Sequence, residues 1–437
     1  MQKPYIYIVI SIITISLVMG LPSATLAAEV EGIEEVPEAL STEALKLKAE
    51  TSQAKIIPLI DITALGLYSK VIGSGGLEGV DVKGTFAPVV KYDDKHYFIP
   101  MYYGAYKKSR QVVTQEEGGQ IYNTITNQNL TLQYKYIPSK RWILRANGLA
   151  RLHYVEESGD SFGDGLYDYR DFGLGGNVER VLSKTSTSQR SLTTGIEYYQ
   201  RDYPNYQSLI SLATVTAPET DEKNYSGIRP SLRYKSATRE RVINIMYSPL
   251  YKDYADKKII GSDGVLTSDT REDWFHYLKI NYLRMPVEGS IMYGLGLTGI
   301  INDSNQHYYD SRSTVSLTDD IFSKNYYSFA SLSVNPSVTY VSRVPDKGVA
   351  TLKLGYNYLV RLYNDRKAQQ TNGTYTLSEQ LDKIHTVQIE GIYPVNKQWS
   401  SMLLYNHTFA HSNMKYETYY QYEYESYFLA LGLKYKY

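Results

Sequence analysis

Cysteine is absent from all 437 residues. Its absence excludes disulfides, thiolate zinc sites, thiol nucleophiles and anchoring through a lipidated cysteine. Long apolar runs are missing too. Beyond the stretch from Tyr5 to Val18, nothing approaches the roughly 20 apolar residues that a membrane-spanning helix needs. Neither sign of charge prevails, with 46 Lys plus Arg against 46 Asp plus Glu. That balance argues against nucleic acid as a partner, because phosphate-backbone binding draws on excess positive charge. There is no phosphate-binding glycine loop.

What the chain has in plenty is tyrosine, 45 residues of it. A ring that is apolar along its body and polar at its tip suits the two interfaces of a bilayer. From Tyr427 to Tyr437 the alternate residues Tyr427, Leu429, Leu431, Leu433, Tyr435 and Tyr437 are large and apolar, while Phe428, Ala430, Gly432, Lys434 and Lys436 make the other face. Period-2 alternation of this kind is a strand with one face for lipid. The segment resembles the C-terminal insertion signal of Gram-negative outer-membrane β-barrels. That resemblance implies the outer membrane as location, with its lipid and lipopolysaccharide as surroundings and the barrel-assembly machinery as a partner.

At the other end, Lys3, the apolar run, Gly20, Pro22 and the small residues Ala24, Ala27 and Ala28 predict a secretory signal peptide over 1–27. Residues 28–55 are rich in Ala, Glu, Lys and Leu and lack aromatics, and Pro37 could open a short helix with Leu40, Ala44 and Leu47 on one stripe. Three readings stay open for this segment: a periplasmic lead, a helix docked in or beneath a barrel, or an oligomerisation handle. It is too short for the plug of an energised receptor.

Residues 56–437 are expected to form an all-β, transmembrane, antiparallel up-and-down barrel of about sixteen strands, with fourteen or eighteen as alternatives. Short connections such as 93–95, 138–140, 237–239 and 344–346 alternate with long ones at 156–170, 204–223, 252–271, 302–323 and 364–382. In such a barrel the short turns face the periplasm, and an even strand count puts both termini there. In 142–154 the even positions from Trp142 to Tyr154 are apolar, and the odd ones include Arg145, Asn147, Arg151 and His153. Residues 350–362 repeat the pattern, with Lys353, Asn357 and Arg361 opposite the apolar face.

A barrel of this size leaves an aqueous channel unless something fills it. With the apolar face outward, the lumen is expected to receive Lys135, Arg145, Arg151, Arg201, Arg229, Arg233, Lys235, Lys279, Lys353 and Arg361, against the fewer carboxylates Asp61, Glu179, Glu197 and Glu390. Fixed positive charge along the path would favour anionic or polar solutes; the plainer alternative is a solvated wall without selectivity. The segment Glu156 to Arg170 carries Glu156, Glu157, Asp160, Asp164 and Asp168. General diffusion porins fold their third loop inward as a constriction, and this chain resembles them in strand count, loop position and charge segregation, though no motif identifies a porin family. The resemblance implies that these acids face the basic wall, and porin analogy alone points to a homotrimer. The alternative is an outward, solvated loop.

The expected activity is therefore passive diffusion of small hydrophilic, anion-leaning solutes through the outer membrane, without enzymatic chemistry, cofactor or metal. A closed, substrate-specific or assembly barrel is the alternative, marked by an apolar lumen pocket touched by residues 29–55, and an outer-membrane hydrolase is a more distant one. The chain has seven histidines. His407 and His411 share the i, i+4 spacing of a helical metal motif, but four residues of strand span about 13 Å, too far for one ion.

Overall fold

The computed structural model describes residues 55–73, 76–112, 121–156, 161–206, 221–285, 290–310, 320–417 and 421–437. The expected signal peptide and nearly all of segment 28–55 lie outside the described residues, as do Glu157 and Asp160.

One antiparallel sheet of eighteen strands makes the wall. Two of these are three-residue pieces at one rim, Lys55–Ile57 and Val89–Lys91, which pair with each other. The other sixteen close on themselves. They run β1 Ile60–Val71, β2 Gly76–Phe86, β3 His96–Val112, β4 Ile121–Ser139, β5 Trp142–Glu156, β6 Tyr169–Lys184, β7 Ser188–Asp202 and β8 Tyr225–Thr238. The second half runs β9 Arg241–Ile260, β10 Leu266–Arg284, β11 Ile291–Ser304, β12 Phe329–Val344, β13 Gly348–Gln369, β14 Tyr375–Pro394, β15 Trp399–Ser412 and β16 Tyr424–Lys436. Each pairs with its sequence neighbour, and β1 pairs with β16 from Asp61↔Lys436 to Val71↔Ser426, so the wall has no free edge. Closure matters in lipid, where every backbone N–H and C=O must find an internal partner. Reciprocal backbone bonds between Ile60 and Tyr437, at 3.2 and 2.9 Å, fasten the two ends at one rim.

Alternation sets which way each side chain points. Leu130, Leu132, Leu174, Ile196, Leu352, Leu354 and Leu431 are exposed on the outer surface. Aromatic rings bound that band at both heights: Trp399 on Tyr435 at 5.0 Å near the rim that holds the termini, and Tyr251 on Trp274 at 4.7 Å near the other. An apolar outer band between two aromatic girdles is the signature of a membrane-spanning barrel.

Proline sets two boundaries of the wall. β1 begins at Ile60, because Pro58 detaches Lys55–Ile57. β2 runs from Gly76 to Phe86 before Pro88 separates Val89–Lys91; proline lacks the N–H that the ladder uses. Gly76 and Gly79 lie in β2, and Gly73, just past the end of β1, is at φ +89°. The connections expected at 252–271 and 364–382 are mostly strand. β9 runs for 20 residues and β13 for 22, with tight turns near Gly264 and Gly373 at φ +77° and +80°. A crossing takes about 9–11 tilted residues, so these hairpins rise beyond the bilayer. There both faces are wet, apolar alternation fades and the backbone ladder continues.

Candidate functional site: the inner wall

The inward-facing row on β4 through β10 is where charge collects. Lys135 stands opposite Arg145, which donates to Asn177 Oδ1 at 2.9 Å and Glu179 Oε2 at 2.6 Å. Higher on the same strands, Arg151 donates to Asn129 Oδ1 at 3.2 Å and to Asp171 Oδ2 at 2.9 Å. Arg201 on β7 grips the same carboxylate with Nε at 2.7 Å and Nη2 at 2.8 Å. Arg229 reaches Glu197 at 3.5 Å, and Arg233 points Nη2 at Met246 Sδ, 3.4 Å away. Near the seam, Lys434 pairs with Asp61 at 2.9 Å. The wall is thus a ladder of cations stapled by fewer carboxylates, which fixes side-chain geometry and tempers the field each cation projects.

Towards the rim opposite the termini the ladder turns into a collar of stacked cations and aromatics. Arg201 lies 3.6 Å over Tyr169, Lys252 sits 4.9 Å from Tyr225, and Arg271 is 4.9 Å from Tyr254 and 4.7 Å from Tyr327. Arg366, fully buried, lies 4.1 Å from Tyr326 and 3.8 Å from Tyr363. Desolvated cation–aromatic contacts are worth about 2 kcal/mol each, so the collar holds this mouth rigid. The loop hairpin Tyr308–Asp310 with Ile321–Ser323 is clasped beside it, through Tyr309 to Asp320 at 2.8 Å and Tyr375 to Asp310 at 3.1 Å. Burial, and then the Asp310 carboxylate, pushes the Tyr375 phenol up. Burial together with Lys324 holds the His307 imidazole below its usual range.

A different surface lines the seam. Leu65, Leu67 and Ala430 face inward and are buried, with Met402, Leu404 and Phe428 packed on them. Between this patch and the basic wall run neutral polar side chains on β12 to β14, where Asn335 donates to Ser333 at 2.8 Å and Ser333 to Asn357 at 2.7 Å.

Of the basic residues singled out from sequence, Arg145, Arg151 and Arg229 sit on one stretch of inner wall. Arg233 lies lower on β8. Lys353 stands opposite Glu390, and Arg361 lies opposite Asp382 with its guanidinium 4.7 Å from Phe329. The acidic group is dispersed. Glu156 ends β5 on its outward-facing row, and Asp164 is exposed in a turn. Asp168 is buried and accepts the Val155 N–H at 2.7 Å, which anchors the loop base to β5. The described part of this loop is strapped sideways: Asn205 donates to the Gly163 and Gly165 carbonyls at 2.7 and 3.1 Å, and Phe162 stacks 4.7 Å from Tyr154. A backbone donor and a neighbouring loop hold the described part of that segment.

The residue that ties the wall together is Asp171, which follows the acidic segment. Only the strand register, which places it between Arg151 and Arg201, reveals its role. The collar was equally hidden, because its members come from strands and loops far apart in sequence. Tyr427, Leu429, Leu431, Leu433, Tyr435 and Tyr437 all fall on the outward row of the closing strand or just past its end. The histidines mostly flank the lipid-facing aromatics: His96 bonds Tyr134 at 2.5 Å, His276 bonds Tyr247 at 2.8 Å and His385 bonds Tyr356 at 2.6 Å. Among the described residues no three His, Asp or Glu side chains come close enough to hold a metal ion.

No protein-family model matches the chain, and no curated protein matches it. Solved structures with a similar course include OmpT, an outer membrane protein of Vibrio cholerae in trimer form, at 10% identity, covering 88% of this chain and 100% of that one with a TM-score of 0.43. OccD3 (OpdP) of Pseudomonas aeruginosa matches at 10% identity, 91% and 97% coverage and a TM-score of 0.43. Salmonella typhi OmpF in complex with daunomycin matches at 11% identity, 90% and 100% coverage and a TM-score of 0.41. These likenesses are too distant to carry residue roles or activity, and the assignment of the fold rests on the strand register. By its closed sixteen-strand wall, lipid-facing band and paired girdles, the chain is a transmembrane β-barrel of the outer-membrane type.

Proposed function

We propose that this barrel is an outer-membrane channel for passive diffusion of small hydrophilic solutes, with a lean towards anions. The observation that carries the proposal is the inner wall of β4 to β10, where, among the described residues, Lys135, Arg145, Arg151, Arg201, Arg229, Arg233, Lys252 and Lys279 outnumber the carboxylates Asp171, Glu179, Glu197 and Asp273 on the same inward rows. A polar, net positive lining replaces part of an anion's hydration and repels cations. In this proposal the rim holding the termini faces the periplasm and the rising hairpins face outward. Lipid, lipopolysaccharide and the barrel-assembly machinery are its surroundings, nucleic acid is not a partner, and a homotrimer is the assembly to test for. Refolded chain lacking 1–27, in a planar bilayer, is expected to give steady conductance steps whose reversal potential in a salt gradient favours anions. Absence of steps, or a cation-selective potential, overturns the proposal.

One observation favours a second reading, that of a closed, substrate-specific barrel. Leu65, Leu67, Met402, Leu404 and Phe428 put apolar surface on the inner wall, where a water-filled pore gains nothing from it. Recording the same chain with and without residues 28–54 separates the two. Steps in both forms favour the open channel, and steps only after truncation favour the closed barrel.

A further inference from the structure

We propose that the outer surface where β14 and β15 leave the girdle binds the phosphate of an outer-leaflet anionic glycolipid through Lys383 and His411. The two residues are cross-strand partners, and both side chains are exposed on the lipid-facing side of the wall. They stand directly above an aromatic shelf. The His385 ring, two residues below Lys383, is bonded to Tyr356 at 2.6 Å and lies 4.8 Å from Tyr358 and 6.3 Å from His411. Phe409 and His407 continue the shelf on β15, with their rings 4.3 Å apart. That shelf is the girdle, so Lys383 and His411 lie at headgroup height and not in the hydrocarbon.

Three of the nearby carboxylates are already committed. Glu425 on β16 pairs with His407 at 2.8 Å, Glu423 pairs with Lys415, and Glu379 on β14 is 3.8 Å from Lys367. Across β13 the partner of Lys383 is Val360. Neither Lys383 nor His411 makes an ion pair among the described residues. A cation on the lipid side of a barrel is tolerated near the interface but not deeper, and the His411 ring beside Lys383 offers an N–H donor to the same anion. Below them Val387, Leu403, Tyr405, Leu429 and Leu431 face outward, a track along which acyl chains of the same lipid can lie. A headgroup phosphate on Lys383 and His411 with its tails on that track uses the whole surface. The inference borrows only the membrane orientation of the proposed channel, and conduction is independent of it.

The test is native mass spectrometry of the full folded barrel in detergent with bis-phosphorylated lipid A. Lipid A lacking phosphates, phosphatidylglycerol and inorganic phosphate serve as separate probes. Lys383→Gln removes a charge near an anionic lipid surface and should weaken lipid A retention by about fivefold; His411→Ala removes a ring N–H donor, and the double variant should bind more weakly than either single one. Lys383→Arg should retain it, as should Lys347→Gln in a turn at the opposite rim. Heat-shifted electrophoretic mobility confirms that each variant is folded; both side chains are exposed, so folding should survive. Equal retention by the double variant overturns the proposal. So does equal retention of phosphate-free lipid A, a preference for phosphatidylglycerol, or displacement of lipid A by equimolar inorganic phosphate. Bilayer conductance of the same variants should be unchanged, which keeps failure here apart from failure of the channel proposal.

Discussion

Arg201 and Asp171 meet in a two-pronged pair across β6 and β7, both side chains almost wholly enclosed, and the second carboxylate oxygen is shared with Arg151. Tyr169 covers the Arg201 guanidinium at 3.6 Å. One carboxylate therefore holds two arginines on neighbouring strands.

Removing that carboxylate leaves two guanidinium groups facing each other with little water. Asp171→Asn is expected to destabilise the folded barrel by about 3–5 kcal/mol, the cost of breaking a buried pair from one side. Asp164→Asn, at an exposed turn, should change stability by less than about 0.5 kcal/mol. Urea unfolding in lipid vesicles, followed by tryptophan fluorescence, measures both; equal midpoints would mean the pair contributes nothing.

Arg145 and Glu179 predict an effect on selectivity. Alanine at Arg145 deletes a positive charge and uncovers the Glu179 carboxylate, now 2.6 Å from it. Reversal potential should move towards cations, and further with Arg151→Ala added. Arg145→Ala combined with Glu179→Ala removes both signs and should sit near the parent. If the single and the paired substitutions give the same potential, this rung lies off the conducting path.

Closure at the seam depends on Gly432. A Cβ there would lie 1.9 Å from the Ala64 carbonyl oxygen, which is backbone and cannot turn aside. Gly432→Ala should sharply reduce the fraction of chain reaching the heat-modifiable, protease-resistant form. Gly391→Ala, whose Cβ would meet Leu403 at an ordinary 3.7 Å, should assemble as the parent does. Equal assembly of the two would show that the seam can shift to accommodate a methyl group.

The loop hairpin at the rim opposite the termini should respond to acid. His307 Nδ1 accepts the Asn325 N–H at 3.1 Å, with Phe322 edge-on at 5.2 Å and Lys324 nearby. Its folded pKa is lowered, so the unfolded chain binds the proton first. The contact's stability is complete above about pH 6.5, the ordinary imidazole value, and is lost as pH falls through the lower folded value. Protonation also destroys the acceptor for Asn325. Hydrogen exchange in 320–328 should accelerate between pH 7.5 and pH 5 relative to the wall strands, after correction for intrinsic rates. Parallel behaviour of loop and wall would remove His307 from the account.

The sequence by itself determined which side of each strand meets lipid. Trp142 to Tyr154 and Tyr427 to Tyr437 alternate with a period of two, and the bilayer reads that period residue by residue, so the outward row, the inward row and the barrel class follow from local pattern. Proline also acted locally, detaching the two short pieces at Pro58 and Pro88. Outside the membrane the signal was lost, because wet strands such as those of the 252–271 hairpin need no apolar face. What only the tertiary structure decided is who meets whom across the wall. That Asp171 serves two arginines, that Asp168 is spent on Val155, and that Lys383 stands beside His411 are matters of register and stagger. Those depend on how sixteen strands close together, and no single strand carries that information.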